Sequence, residues 1–207
     1  MKQNVEKRSF NFEIRSEKRE DGTAVLTGRP IVYESRTDIG PFDEIIRAGA
    51  LDGADLKDVP LFVNHNLQMI PVARSRNNNA NSTMQLTPDL SGLGFRASLD
   101  PDRHLVAREL ESAVDRGDID GMSFMFAVED EEWQDLKSEH PTRIIKRFAK
   151  IYEISAVTFP AYGTTEINLE NRAALDSARA ALDSARQTLE SESTRLLELE
   201  KAKISLL

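Results

Sequence analysis

Short segments in which apolar and polar side chains alternate recur from residue 9 to residue 159, and they confine this chain to a fold built mainly of strands. Phe10, Phe12 and Ile14 are separated by Asn11, Glu13 and Arg15, which predicts a strand over residues 9–16 with one buried face. Asp21-Gly22 supplies a turn, and Ala24 to Tyr33 reads as the returning strand, with Gly28 and Pro30 marking an irregularity or a sheet edge. Further short strands are expected over Phe42 to Arg47 and Val59 to Val63. A second hairpin is expected from Met84–Leu86 and Leu93–Leu99 across Pro88-Asp89, and Asn77 to Ser82 reads as a surface loop. Leu105, Val106, Leu110, Ala113 and Val114 fall at helical spacing, with Gly117 as the stop. The acidic run Glu129-Asp130-Glu131-Glu132 predicts a loop or short helix as far as Pro141, after which Ile144 to Phe148 and Ile151 to Phe159 resume the strand pattern. Many short strands with few helices argue for an antiparallel barrel or sandwich over a doubly wound sheet.

From Glu170 onward glycine, proline and aromatic residues disappear. Ala174-Leu175-Asp176-Ser177-Ala178-Arg179 is almost repeated by Ala181-Leu182-Asp183-Ser184-Ala185-Arg186, a period of seven that lines up Leu175, Leu182, Leu189 and Leu196. Ala178, Ala185 and Leu199 form a second seam that Glu192 interrupts. This pattern predicts a coiled coil, or else a single amphipathic helix lying on the domain. The chain therefore divides into a domain over residues 1–170 and a C-terminal helical extension over 171–207.

A chain of 207 residues can bury one substantial core. Its formal net charge of -8 and the lack of a dense basic stripe argue against a nucleic-acid partner. Cysteine is absent, which excludes disulfides, thiolate metal sites and cysteine nucleophiles. The polar N-terminus and the absence of any long uncharged run predict a soluble, intracellular protein with no membrane partner. No His-Glu-x-x-His segment occurs, so a zinc hydrolase lacks ligands, and the lack of a glycine-rich phosphate loop and of a Gly-x-Ser-x-Gly elbow sets aside nucleotide hydrolases and ordinary esterases; neither a metal nor a cofactor is expected.

The stretch with most chemical content is Gly121-Met122-Ser123-Phe124-Met125-Phe126. Alternation puts Met122, Phe124 and Phe126 on one face and Ser123 with Met125 on the other. A serine hydroxyl becomes a nucleophile only when a base takes its proton, and histidine suits that task at neutral pH. There are three histidines. His104 falls in the expected helix among charged residues, where a solvated role is expected, and His140 sits in a polar segment before Pro141. His65 alone follows an apolar strand, at whose end a side chain can leave the core while staying anchored. Glu153, set among Ile151, Tyr152, Ile154 and Val157, is either a partly buried carboxylate in need of a partner or part of an exposed strand face. Taken singly, Ser123 also reads as a small polar strand residue, and His65 as a locally hydrogen-bonded one.

Taken together, Phe42-Asp43-Glu44-Ile45-Ile46 with Gly49-Ala50, the strand ending at His65, Gly121-Met122-Ser123-Phe124 and Glu153-Ile154-Ser155-Ala156-Val157-Thr158-Phe159-Pro160-Ala161 resemble the prohead maturation proteases of tailed bacteriophages. The resemblance covers about residues 8 to 170, with the motifs in the family's order. It implies an α+β fold with a mostly antiparallel β-barrel core flanked by helices, related to the herpesvirus assemblins. It also implies a serine endopeptidase with Ser123 as nucleophile, His65 as general base and Glu153 as the third member, with His140 a rival because assemblins use a second histidine there. The implied substrate is the scaffolding segment of the major capsid protein, cut inside the procapsid in the host cytoplasm, with self-cleavage and with scope for a homo-oligomer. A non-catalytic assembly factor on the same fold is the competing reading.

Overall fold

The computed structural model describes residues 5–10, 14–158 and 169–204. The strands are β1 (Glu6–Phe10), β2 (Ile14–Lys18), β3 (Ala24–Val32), β4 (Arg36–Asp38), β5 (Asp43–Ile46), β6 (Asp58–Val63), β7 (Ala73–Arg76), β8 (Met84–Asp89), β9 (Gly92–Leu99), β10 (Gly121–Gln134) and β11 (Thr142–Val157). The helices are α1 (Leu105–Asp115) and α2 (Leu169–Ile204). No helix among the described residues is long and apolar enough to cross a membrane.

The expected barrel is not what forms. Strands make up 44% of the structure, but they build two open sheets. One has seven strands in the order β1-β10-β11-β5-β4, with β6 and β7 attached through β11, and the other has four in the order β2-β3-β9-β8. A barrel closes only when every strand edge is paired, whereas β1, β4 and β7 in the first sheet, and β2 and β8 in the second, each have one strand partner among the described residues. The long strand β11 explains the departure. Its whole length pairs antiparallel with β10, while its other edge takes two parallel partners, β5 along Thr142–Ile145 and β6 along Ile154–Ala156.

Other boundaries also differ from the sequence reading. The strand expected over residues 9–16 is two strands, β1 and β2, in different sheets. The β2–β3 hairpin forms across Asp21-Gly22, and β3 shifts register against β9 between Gly28 and Ile31, where Gly28 and Pro30 signalled an irregularity. The β8–β9 hairpin turns at Leu90-Ser91, with Pro88 paired to Leu93 inside the ladder. The acidic run after Ala127 lies within β10, because its carboxylates meet cations across the ladder. Lys146 reaches Glu132 at 3.0 Å, and Arg147 lies near Glu129 and Asp130 at 3.5 and 3.8 Å. Phe12, Phe159, Pro160, Ala161 and Tyr162 lie outside the described residues.

One core joins the two sheets, with Leu26, Ile31, Leu93 and Phe95 facing Leu61, Met122, Phe124, Phe126, Phe148 and Ile154. Phe148 meets Phe126 edge-on with ring centroids 5.2 Å apart. A second cluster packs Ala178 and Leu182 of α2 against Ile39 and Phe42, beside Trp133 and Leu136. Arg186 fastens the same stretch of helix by donating to the carbonyls of Leu136 and Ser138, at 3.2 and 3.0 Å. Farther along, Leu196, Leu197 and Leu199 are exposed.

Candidate functional site

Three neighbouring strands, β10, β11 and β6, supply the groups that meet around Ser123. Antiparallel pairing sets Ser123 opposite Ser155 and Met125 opposite Glu153, so Ser123, Glu153 and Ser155 share the sheet face away from Phe124. Parallel pairing of β6 with β11 ends at Val63 opposite Ala156, and the chain then turns sharply. Asn64 and His65 both adopt the left-handed region, at φ 51° and 54°, a conformation that non-glycine residues hold only where the surroundings enforce it. The enforcing contacts are visible. The Asn64 N–H donates to the Ala156 carbonyl at 2.9 Å, and Asn64 Oδ1 accepts from the Thr158 N–H at 3.0 Å.

This turn sends the His65 imidazole back across β11. Nε2 lies 2.6 Å from Ser123 Oγ, and Nδ1 lies 2.6 Å from Glu153 Oε1. The second carboxylate oxygen, Oε2, accepts from the Ser155 hydroxyl at 2.6 Å, and the His65 N–H donates to that same hydroxyl at 3.2 Å. A carboxylate at Nδ1 selects the imidazole tautomer with its proton there, leaving the Nε2 lone pair aimed at the serine. All of these side chains are withdrawn from solvent, with Ser123 and Ser155 fully buried, Glu153 1% exposed and the His65 side chain 5% exposed. The arrangement can take a proton from a hydroxyl and stabilise the resulting imidazolium.

His140 is not part of this site. It sits before the opposite end of β11, and the stretch of strand from Thr142 to Glu153 alone spans roughly 35 Å. There its Nε2 lies 3.1 Å from Asp43 Oδ1 at the surface. Asp38, Asp43 and His140 each bring one ligand atom within 4.8 Å of the others, an exposed cluster of the sort that ion pairs at a protein surface commonly produce. His104 caps α1, its Nδ1 accepting from the Ala107 N–H at 3.1 Å.

Sequence reasoning missed three contributors. Ser155 was available to it, because two residues beyond Glu153 on a strand means the same face. Ser9 and Arg8 were not, since only the register of β1 on β10 places Ser9 opposite Ser123. The Ser9 hydroxyl donates to Ser123 Oγ at 2.8 Å, and Ser123 donates to the Arg8 carbonyl at 2.8 Å.

A buried ion network anchors β1 on its other face. Arg8 donates to Glu44 through Nε and Nη2 and to Glu6 through Nη2, while Arg143 donates to Glu6, Glu44 and Glu131. Burial alone would raise the Glu6 carboxyl, but Arg143 and then Arg8 outweigh it and hold the group below its ordinary value. Burial in turn works against the Arg143 cation, but Glu6, Glu44 and Glu131 outweigh it and hold the charge more firmly than usual.

Residues 10–178 match the family described as caudovirus prohead serine protease. Over 122 residues the chain is 33% identical to the prohead protease of Enterobacteria phage HK97, a match that covers 57% of this chain and 48% of that protein. The chain thus spans about half the length of this relative. A solved structure, that of the bacteriophage T4 capsid assembly protease, aligns with a TM-score of 0.39 at 13% identity, covering 75% of this chain and 99% of the other.

Proposed function

The chain belongs to the caudovirus prohead serine protease family, and from that premise we propose that it is a serine endopeptidase acting in capsid maturation of a tailed phage. The observation that carries this reading is the position of one imidazole, 2.6 Å from a serine oxygen on one side and 2.6 Å from a carboxylate on the other. Ser123 Oγ attacks a peptide carbonyl carbon while His65 Nε2 takes its proton. Glu153 stabilises the imidazolium that forms. The C–N bond breaks as Nε2 returns the proton to the leaving amine, and water then repeats the sequence on the acyl-enzyme.

The substrate under this proposal is the scaffolding segment of the major capsid protein, cleaved inside the procapsid in the host cytoplasm, with self-cleavage accompanying it. The domain over residues 1–170 carries the chemistry, and the extension over 171–207 serves docking, its distal leucines being open to a helical partner. Labelling with a fluorophosphonate tests the chemistry: the chain should be modified once, at Ser123, and Ser123→Ala should abolish the signal. In phage, the same substitution should give proheads that assemble with full-length capsid protein. Normal processing in that mutant would refute the assignment and favour the non-catalytic assembly role.

A further inference from the structure

Ser123 has no exposed surface, yet a hydroxyl that attacks a peptide must touch one. Its oxygen is held by His65 Nε2, by the Ser9 hydroxyl and by the Arg8 carbonyl, and the last two belong to β1. They also work against the chemistry. Ser123 has one proton, and with β1 in place the Arg8 carbonyl competes with Nε2 for it. The Ser9 hydroxyl at the same time occupies a lone pair of the attacking oxygen.

Among the strands around Ser123, β1 is the one that can leave without dismantling the site. β6, β10 and β11 carry His65, Ser123 and Glu153, so moving any of them breaks the hydrogen-bonded chain. β1 is an edge strand whose one strand partner among the described residues is β10. Its departure would expose the N–H and C=O groups along the edge of β10 that carries Ser123. An exposed sheet edge of this kind binds an extended peptide through main-chain hydrogen bonds.

We propose that the β10 edge beneath β1 is the substrate-binding site, that its ligand is an extended peptide segment added antiparallel to β10, and that docked β1 is the chain's own occupant, keeping the protease latent. This rests on the serine mechanism proposed above. The register specifies the alignment: the substrate residue opposite Ser123 takes the place of Ser9, which brings the peptide bond before it alongside Oγ. Removal of β1 leaves Nε2 as the acceptor for the serine proton. The buried ion pairs of Arg8 with Glu44 on β5 and of Glu6 with Arg143 on β11 make the docked state the resting one.

The chain has no cysteine, so a disulfide clamp can be introduced cleanly. Lys7 and Met125 lie directly opposite each other on β1 and β10, and Lys7→Cys with Met125→Cys allows β1 to be locked by oxidation and released by reduction. The rate of fluorophosphonate labelling at Ser123 reports the undocked fraction. Labelling in the oxidised full-length protein should be at least roughly tenfold slower than in the reduced protein, and Ser9→Pro, which removes an N–H from the strand, should label faster than wild type. Equal rates for oxidised and reduced protein, with Ser9→Pro no faster than wild type, would overturn the role of β1 and leave the serine mechanism standing. No labelling of any variant in any state would overturn both.

Discussion

Arg8 and Glu44 form a two-pronged ion pair inside the protein, Nε to Oε1 at 2.7 Å and Nη2 to Oε2 at 2.8 Å, with neither side chain more than 1% exposed. Such a pair contributes little relative to a well-packed apolar replacement, but removing one member strands the other charge in a low-dielectric interior. That loss amounts to about 3–5 kcal/mol. Arg8→Ala should lower stability on that scale in urea unfolding, softened where Arg143 takes over part of the pairing with Glu44. A loss below about 1 kcal/mol would mean that water reaches the site and that β1 is not buried as described.

The same network predicts an acid limit. The Glu6 carboxyl is held below its ordinary value of 4.5, so its contribution is fully present above that value and is lost as pH falls through its lowered folded value. Arg8 from β1 and Arg143 from β11 pair with it directly, and Arg143 also binds Glu44 from β5 and Glu131 from β10. Thermal unfolding followed between pH 7 and pH 3 should show a midpoint that holds down to about pH 5 and then drops. Glu6→Gln should flatten the drop, and an unchanged acid limb in that variant would exclude Glu6 as a contributor.

Ser155 is the residue whose loss should separate positioning from structure. Its hydroxyl holds Glu153 Oε2 and the His65 N–H, so Ser155→Ala frees both the carboxylate and the turn that carries the imidazole. A hydrogen bond to a charged group contributes about 1.5–3 kcal/mol, which corresponds to roughly a ten- to hundredfold fall in kcat. KM should stay within about twofold, because no substrate group is touched. Ser155→Thr, which keeps the hydroxyl on a strand, should recover part of the rate. If Ser155→Ala lowers the melting temperature without changing kcat, the hydroxyl serves the fold alone.

Much of this site could be read from the chain because each member lies at a place that local pattern marks. Ser123 interrupts a buried strand, His65 follows one, and Glu153 is a lone carboxylate among Ile151, Ile154 and Val157. Their meeting was expected from the order of motifs rather than from any one of them. What pattern could not supply was partnership. Alternation identifies a strand without naming its neighbour, which is why an antiparallel barrel was expected where β11 takes two parallel partners on one edge. The acidic run from Glu129 to Glu132 looked like a break because its compensating cations, on β11, lie beyond the intervening turn. Ser9 is 114 residues from Ser123, and only the sheet register reveals the contact.

The leucine seam of α2 divides where the sequence pattern is continuous, and the division can be tested. Leu182 is 5% exposed against Ile39 and Phe42, whereas Leu196, two heptads on in the same seam, is 64% exposed. Phe42 also meets Trp133 edge-on with centroids 4.9 Å apart, so Leu182 closes over an aromatic pair. Leu182→Ala should cost about 2–5 kcal/mol if it leaves a cavity, or less if the helix lifts away instead. Leu196→Ala should change stability by less than about 0.5 kcal/mol. Hydrogen exchange distinguishes the two routes for Leu182. Helix release accelerates exchange near Ala178 to Arg186 while β10 and β11 stay protected, whereas a cavity speeds exchange in both. Equal effects of the two substitutions would mean that the proximal helix does not pack on the domain, and that the whole seam is free for a partner.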